Sequence, residues 1–219
     1  VVIKNKANGL INPLAQMGAT LTVEEIQASP MIADPLQMFD CCPASDGASA
    51  VLLTSGALLS ANATPRIRVL ASSQTSWSPL IAHHADLCTF DATVTAAQRA
   101  YAMAGLSAKD IDVVELHDCF SVAEIIDSED LGLIPRGQGA KWAREQRTAV
   151  NGEVAINPSG GLLAKGHPVG ATGVGQVYEV VQQLRGTHPN QVRGARIGMT
   201  HKLGGTGVAC TVNILGVAE

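Results

Sequence analysis

Aromatic side chains are scarce: three Phe, two Tyr and two Trp amount to 3% of the 219 residues. Burial must therefore rest on Val, Ile, Leu and Ala, with 22 glycines letting backbones pack closely, a balance that suits a layered α/β protein. Charge is sparse as well. Fifteen basic and 19 acidic side chains leave a net charge of -4, and the Lys and Arg residues are scattered singly. Without a basic stripe nucleic acid is a poor partner, although a small acidic ligand could find a local site. No uninterrupted apolar run of about 18 residues occurs, and no basic segment followed by an apolar one opens the chain, so neither a membrane span nor a secretion signal is read. The five cysteines (Cys41, Cys42, Cys88, Cys119 and Cys210) are odd in number and irregular in spacing, which points to reduced thiols in a cytosol-like compartment. What is present is 46% hydrophobic residues, enough to bury a core as one or two domains. The first residue is Val1, followed by the polar stretch Lys4-Asn5-Lys6-Ala7-Asn8-Gly9, and the expectation is that the chain is part of something longer.

From Val1 to about Pro43 the sequence is irregular, with one short helix opened by a capping box at Thr22 and Glu25 and stopped at Ser29-Pro30. Ala48 to Leu53 has the length and apolarity of a strand, and a small helix follows around Gly56 to Ala61. Alternation comes next: a strand at Arg66–Ala71; a helix capped by Asp91 with the stripe Val94, Ala97, Tyr101 and Ala104, closed by Gly105; a buried strand at Ile111–Leu116. His117 to Phe120 forms a turn, Ser121 to Leu131 a helix ending at Gly132, and Val154 to Ile156 a short strand. Val169 to Leu184 is a helix with Val174, Val177, Tyr178, Val181 and Leu184 as apolar positions; its uncharged first half predicts burial on all sides. Strands at Ala195–Thr200 and Gly207–Leu215 close the chain, the last with Val208, Cys210, Val212 and Ile214 on one face. The order β-α-β-α-β-α-β-β predicts a mainly parallel sheet, with ligands beyond the carboxyl ends of the strands, in the loops after Leu116, Ile156 and Thr200.

Four constellations could carry chemistry. His117-Asp118-Cys119-Phe120 sets an imidazole and a thiol at a helix N-terminus, where the dipole favours thiolate. The plainer alternative has Asp118 capping the helix and Cys119 filling the core. Asn157-Pro158-Ser159-Gly160-Gly161, continued by Lys165-Gly166-His167-Pro168-Val169-Gly170-Ala171-Thr172-Gly173, ends a strand, permits close backbone approach and puts His167 just before a helix with Pro168 in its first turn. The positive helix end opposes a charged His167, which stays neutral and able to act as a base; otherwise the glycines serve packing and His167 caps. A nucleotide-phosphate loop is set aside, since no Lys-Ser or Lys-Thr pair follows at its spacing. His201-Lys202-Leu203-Gly204-Gly205-Thr206-Gly207 joins the last two strands, either as a functional loop or as a plain hairpin. Cys41-Cys42 hints at a metal, but His83-His84 is the only other pair of metal-binding side chains and the spacing of a zinc site is missing, so no metal is assigned.

Taken together, Asn157–Gly161, Lys165–Gly173 and Gly204–Gly207, with Ser45-Asp46-Gly47-Ala48 upstream, resemble the thiolase family over the whole chain. His117-Asp118-Cys119-Phe120 resembles the sterol-carrier-protein-2-type variant, where most thiolases carry Asn-Glu-Ala-Phe. The resemblance implies a layered α-β-α-β-α fold of two similar halves. Residues 1–64 would be the tail of the N-terminal half and residues 65–219 the C-terminal domain, with its βαβαβαββ order. The nucleophilic cysteine of the family lies in the first half, no cysteine here matches it, and this chain alone would be catalytically incomplete. By the same resemblance His167 activates that cysteine and helps bind an oxyanion. Cys119 replaces the acid/base cysteine that ordinary thiolases place where His201-Lys202-Leu203 stands, and His117 donates to an oxyanion. Cys42, Ser45, Phe120, His201 and Gly205 fall to binding substrate and CoA, with Cys42 a departure from the commoner Ser before Pro43. The implied activity is thiolytic cleavage of 3-ketoacyl-CoA to acyl-CoA and acetyl-CoA, or the reverse Claisen condensation, in fatty-acid or sterol side-chain metabolism. CoA is then a co-substrate, and no covalently bound cofactor is expected. The alternatives are a thiolase-like retro-aldolase working on steroid side-chain CoA thioesters with an accessory partner, and a non-catalytic acyl-CoA-binding protein. A homo-oligomer is expected. Gly216-Val217-Ala218-Glu219 carries no Ser-Lys-Leu signal, which makes cytoplasm the default compartment, with peroxisome or mitochondrion the eukaryotic alternatives.

Overall fold

The computed structural model describes residues 1–58 and 65–218. Its centre is a five-stranded sheet in the order β3-β7-β6-β4-β5, built from β3 (Ile67–Ser76), β4 (Val113–Glu115), β5 (Ala155–Ile156), β6 (Ile197–Gly204) and β7 (Ala209–Val217). β4 pairs in parallel with both β5 and β6, whereas β7 runs antiparallel to both β6 and β3. The expectation of a mainly parallel sheet is thus corrected: the β6–β7 hairpin and the return of β3 to its outer edge make half of the pairings antiparallel. A register shift between Val69 and Ala71 interrupts the β3–β7 ladder.

Helices cover both faces of the sheet. α3 (Asp91–Ala104) lies on β3 and β7, and its buried residues Ala92, Thr93, Ala96, Ala97 and Ala100 are small enough to bring its axis close to the strands. The stripe expected through Val94, Tyr101 and Ala104 is rotated to the margin of that contact, because the alanines are the side that fits the sheet. Gly105, at φ 67, closes the helix as its sequence predicts. The main core lies here, where Cys210, Val212 and Ile214 of β7 meet Leu116, Ile156, Met199 and Leu131.

On the opposite face, α7 (Thr172–Arg185) packs on β6, with Val180 and Leu184 against Leu215. Gly198 makes the approach possible, since a Cβ there would stand 2.4 Å from Val180 Cγ1. Burial of this helix on all sides is not observed: Tyr178 is exposed, Val174, Val177 and Val181 are half-buried, and the covered face is the polar row Thr172, Gln176, Glu179 and Gln183 beside Val180 and Leu184. Those polar residues find partners below, as with Gln176 Nε2 on the His201 carbonyl at 3.0 Å.

The first 43 residues hold more order than their composition suggests. α1 (Val2–Ile11) buries Asn5, Lys6, Asn8 and Gly9 together with Val2. Lys4 Nζ pairs with Glu124 at 2.9 Å and donates to the Ile156 carbonyl at 2.6 Å, while Asn8 Nδ2 donates to the Asn157 carbonyl at 2.9 Å. The helix is docked by polar groups, so it shows no apolar periodicity. α2 (Val23–Gln27) opens at Thr22 with both arms of the capping box and is followed by the short hairpin β1 (Met31–Ala33) and β2 (Leu36–Gln37). Ala48–Leu53 is not a strand here. It has no ladder partner among the described residues, and Leu52 and Leu53 are 93% and 75% exposed. Of the helix expected over Gly56–Ala61, Gly56–Leu58 forms one 3-10 turn and the remainder lies outside the described residues. α4 (Ser121–Asp130) follows β4 as anticipated, and two short helices absent from the sequence reading, α5 (Gly139–Arg144) and α6 (Gly161–Lys165), flank β5. No helix among the described residues is long and apolar enough to cross a membrane.

Candidate active site

Three segments leave the C-terminal ends of β4, β5 and the parallel part of β6 on the same side of the sheet, where ligands of such sheets bind. The first is the turn His117–Phe120 between β4 and α4. It is held at its root by Asn157, whose Oδ1 accepts from the Leu116 amide at 2.7 Å and whose Nδ2 donates to Glu124 at 2.9 Å. The second runs from Asn157, at φ 54, through α6 to His167 and on to α7. The third is the end of β6 at His201 and Lys202.

Asp118 ties the first segment to the second. Its Oδ1 accepts the Leu162 amide at 2.6 Å, and its Oδ2 accepts Asn5 Nδ2 at 2.7 Å and the Leu163 amide at 3.3 Å. Asp118 therefore caps α6, not the helix that follows it in sequence; α4 starts at Phe120 with no side-chain cap. Burial and the neighbouring Glu124 raise the carboxyl's pKa, and the two α6 amides pull it back. The fit leaves no room at Gly161, where a Cβ would lie 2.3 Å from Asp118 Oδ2.

With these loops locked, His117 and His167 meet edge to face, ring centroids 5.1 Å apart at 81°. His167 Nδ1 lies 2.7 Å from Thr172 Oγ1, and that hydroxyl donates its single proton to the Pro168 carbonyl at 2.9 Å. Nδ1 must then be the N–H donor, which leaves the Nε2 lone pair free. Burial, and secondly Lys202, lower the pKa of His167 below its ordinary value, so the ring is a neutral base. The neutral state agrees with its sequence-based expectation, but α7 begins only at Thr172, and Pro168 contributes a carbonyl rather than a first helical turn.

His117 is more deeply buried, and burial, Lys202 and the two other histidines lower its pKa to about 2. Its Nδ1 is 3.1 Å from Lys202 Nζ. Behind it His201 is fully enclosed, with Nε2 3.1 Å from Thr93 Oγ1 and 3.4 Å from Asp127. A direct contact from His201 to CoA is corrected accordingly: its ring supports the back of the site, and Nδ1 makes a long 3.5 Å contact to the His117 amide.

The Cys119 thiol is pushed up to about 12 by burial first, then by Cys42, Asp118 and Asp127. This overturns the expected thiolate. Burial outweighs the start of α4, and Cys119 rests as a protonated thiol, suited to give up a proton. Cys42 lies beside it, its amide donating to the Cys119 carbonyl at 2.9 Å, and Cys41 bridges to Phe120 in an antiparallel pair. Ala44 bridges in parallel to His167, and the buried hydroxyl of Ser45 next to Gly166 has no hydrogen-bond partner among the described residues. The segment from Cys41 to Ser45 is thus laid across both loops, bringing Cys42 and Ser45 to the site. Phe120 stands at its rim, 41% exposed, and Gly205 is exposed at the tip of the β6–β7 hairpin. Sequence reasoning had not singled out Thr172, Asn5 or Lys202 as site residues; for Lys202 the signal was its place next to His201 in a motif already noted.

The class defined by this sheet and these loops is the thiolase C-terminal domain: the family described as "Thiolase C-terminal domain-like" matches residues 73–217, and the chain belongs to the thiolase family. It is 46% identical over 98% of its length to the acetyl-CoA acetyltransferase of Methanothermobacter thermautotrophicus, covering 56% of that protein, and 39% identical over 99% of its length to human sterol carrier protein 2, covering 41%. It is also 34% identical to the benzoylsuccinyl-CoA thiolase subunit BbsB of Thauera aromatica over 94% of its length, covering 54%. The fold matches a chain of a solved Ltp2-ChsH2(DUF35) aldolase with a TM-score of 0.84 at 23% identity, covering 99% of this chain and 57% of that one. The chain therefore spans about half the length of the relatives it matches.

Proposed function

We propose that this chain is the C-terminal part of an acyltransferase that cleaves 3-ketoacyl-CoA with CoA, or joins acyl-CoA to acetyl-CoA in reverse. The observation carrying this reading is the convergence of a neutral His167, its Nε2 free, with His117 and the protonated thiol of Cys119. Residues 1–64 are assigned to the tail of a preceding half, which supplies the nucleophilic cysteine opposite His167, and residues 65–219 to the C-terminal domain. His167 Nε2 takes the proton of that cysteine, which attacks the 3-keto carbon and is left acylated as the carbon-carbon bond breaks and the acetyl-CoA enolate departs. His117, with Nδ1 turned to Lys202, presents Nε2–H to a developing oxyanion. Cys119 protonates the acetyl-CoA enolate. Ser45, Cys42 and Phe120 line the approach of the CoA arm; Gly205 belongs to the hairpin beside it. CoA is the co-substrate, a homo-oligomer the working form and the cytoplasm its compartment.

The test is the full-length polypeptide supplied with 3-ketoacyl-CoA and CoA, read for acetyl-CoA. His167→Ala should lower turnover by about 10²- to 10⁴-fold with the fold intact, and near-parental activity would sink its assignment as base. Cys119→Ser should spare acylation and slow exchange of the acetyl-CoA α-protons. Ketone or aldehyde release from a 3-hydroxyacyl-CoA would favour a retro-aldolase instead. CoA binding with neither product would leave an acyl-CoA-binding protein.

A further inference from the structure

Two half-buried lysines are neutralised, Lys4 by Glu124 at 2.9 Å and Lys165 by Glu179 at 3.4 Å, and buried Lys6 lies over the Phe39 ring, 5.8 Å from its centroid, in the field of the Asp118 carboxyl. Among the described residues no such ion pair is found for Lys202, whose hydrogen-bond contact is the neutral ring of His117 at 3.1 Å. An ammonium has three donors and no acceptor, so this contact makes His117 Nδ1 the acceptor and its Nε2 the N–H. The thiols of Cys119 and Cys42 lie within the electrostatic reach of Lys202. The aliphatic stem passes over the start of α7, its Cγ 3.8 Å from where a Cβ on Gly173 would stand. A half-buried, unneutralised cation costs stability unless an anion visits it.

We propose that Lys202 is a positioning residue of this site, holding His117 with Nε2 as the donor and supplying the positive charge against which Cys119 releases its proton. This rests on the thiolase reading for the identity of the proton acceptor. In that reading the S–H bond of Cys119 breaks as a C–H bond forms at the enolate carbon of acetyl-CoA, and the thiolate left behind faces the Lys202 ammonium. The entering CoA thiol then returns a proton to Cys119, its thiolate attacks the acyl-cysteine carbonyl to form acyl-CoA, and the released cysteine thiolate recovers its proton from His167, so protons and the acyl group balance over the cycle. The groups facing this charge are His117 and Cys119 on the turn after β4, Cys42 on the overlying segment, His167 before α7 and His201 on its own strand; Asp118 and Asp127 act on the same thiol. Burial lowers the Lys202 ammonium to about 8, with the two thiols opposing the shift, so its charge is available at neutral pH and fades above it.

Iodoacetamide alkylation of the full-length polypeptide, resolved by peptide mass mapping between about pH 6.5 and about pH 10, reads the thiolate of each cysteine separately. Lys202→Met should slow alkylation of Cys119 about tenfold near neutral pH, where the Lys202 ammonium carries its charge, while exposed Cys88 is unchanged and serves as the reference. An unchanged Cys119 profile would overturn the proposal. If Lys202→Met opens the fold, seen as alkylation of fully buried Cys210, then Lys202→Arg decides. Its permanent charge must keep Cys119 alkylation at least as fast as in the parent, and a slower rate would overturn the proposal. Alkylation requires no turnover. A Lys202-dependent Cys119 profile in a protein that cleaves no 3-ketoacyl-CoA would reject the reaction and keep the charge assignment, and the converse result would do the reverse.

Discussion

At His167 the direction of one hydrogen bond decides what the side chain can do. Thr172 gives its proton to the Pro168 carbonyl, so the imidazole must donate through Nδ1, and the lone pair is left on the nitrogen that can meet an incoming thiol. His201 shows the same economy of roles deeper down, where it is buried and neutral between Thr93 and Asp127. Burial first, then Lys202, lowers its pKa from 6.5 to about 3. The unfolded chain protonates this ring below 6.5 while the folded chain does not, so its contribution is complete above 6.5 and lost as the pH falls toward about 3. Asp118 and Asp127, whose folded pKa values are raised, act in the opposite sense, and only a difference between variants isolates the histidine. Urea unfolding of the parent and of His201→Gln should therefore converge on acidification: the parent loses up to about 1.4 kcal/mol per pH unit more than the variant within that window. Parallel stability curves would show that His201 titrates alike in both states.

At the scale of elements, α6 is where the site is most exposed to a small error. Five residues long, it hangs from Asp118 by two amides and carries His167 two residues beyond its end. Gly161→Ala places a Cβ against Asp118 at a φ of 59, so it should cost at least about 2 kcal/mol. Gly105→Ala, at a φ of 67 with nothing within 4 Å, should cost about 1 kcal/mol. Denaturant midpoints of the two variants separate the clash from the backbone strain, and equal losses would contradict the packing described. Helices of this kind also mark where the sequence was legible. The start of α4 at Ser121 and the closure of α3 at Gly105 are legible to the residue, and the β6–β7 strands are legible with their ends displaced by two to four residues, because alternating burial on β7 and the glycine after α3 leave local signals, whereas Asp91 lies inside α3 and makes no cap. α1 and α6 are not legible: Asn5, Asn8 and Lys4 bury against partners more than a hundred positions away, and the order of α6 comes from Asp118, forty-odd residues upstream. The histidines and Cys119 were found through their motifs, whereas the protonation state of Cys119 depends on burial that only the packed chain defines.

Across the whole molecule, the feature that the isolated chain does not satisfy is Ala48–Leu53. Val51, Leu52 and Leu53 are 41%, 93% and 75% exposed in succession, with no ladder partner among the described residues, yet the run has the composition of a central strand. If residues 1–64 are the end of a preceding half, its sheet receives this run, and each leucine buried there contributes about 1.5–3 kcal/mol. That assignment makes one pair of substitutions act with opposite signs in two contexts. In a chain of residues 1–219 alone, Leu52→Ser with Leu53→Ser removes apolar surface from water, so binding of a hydrophobic dye and self-association by light scattering should both fall while the urea midpoint stays put. In the full-length polypeptide the same pair empties a core, and stability should drop by several kcal/mol, the range for large-to-small changes in packed interiors. A full-length protein indifferent to the double substitution would mean that the run is surface in the assembled molecule too, and the boundary at residue 64 would have to be abandoned.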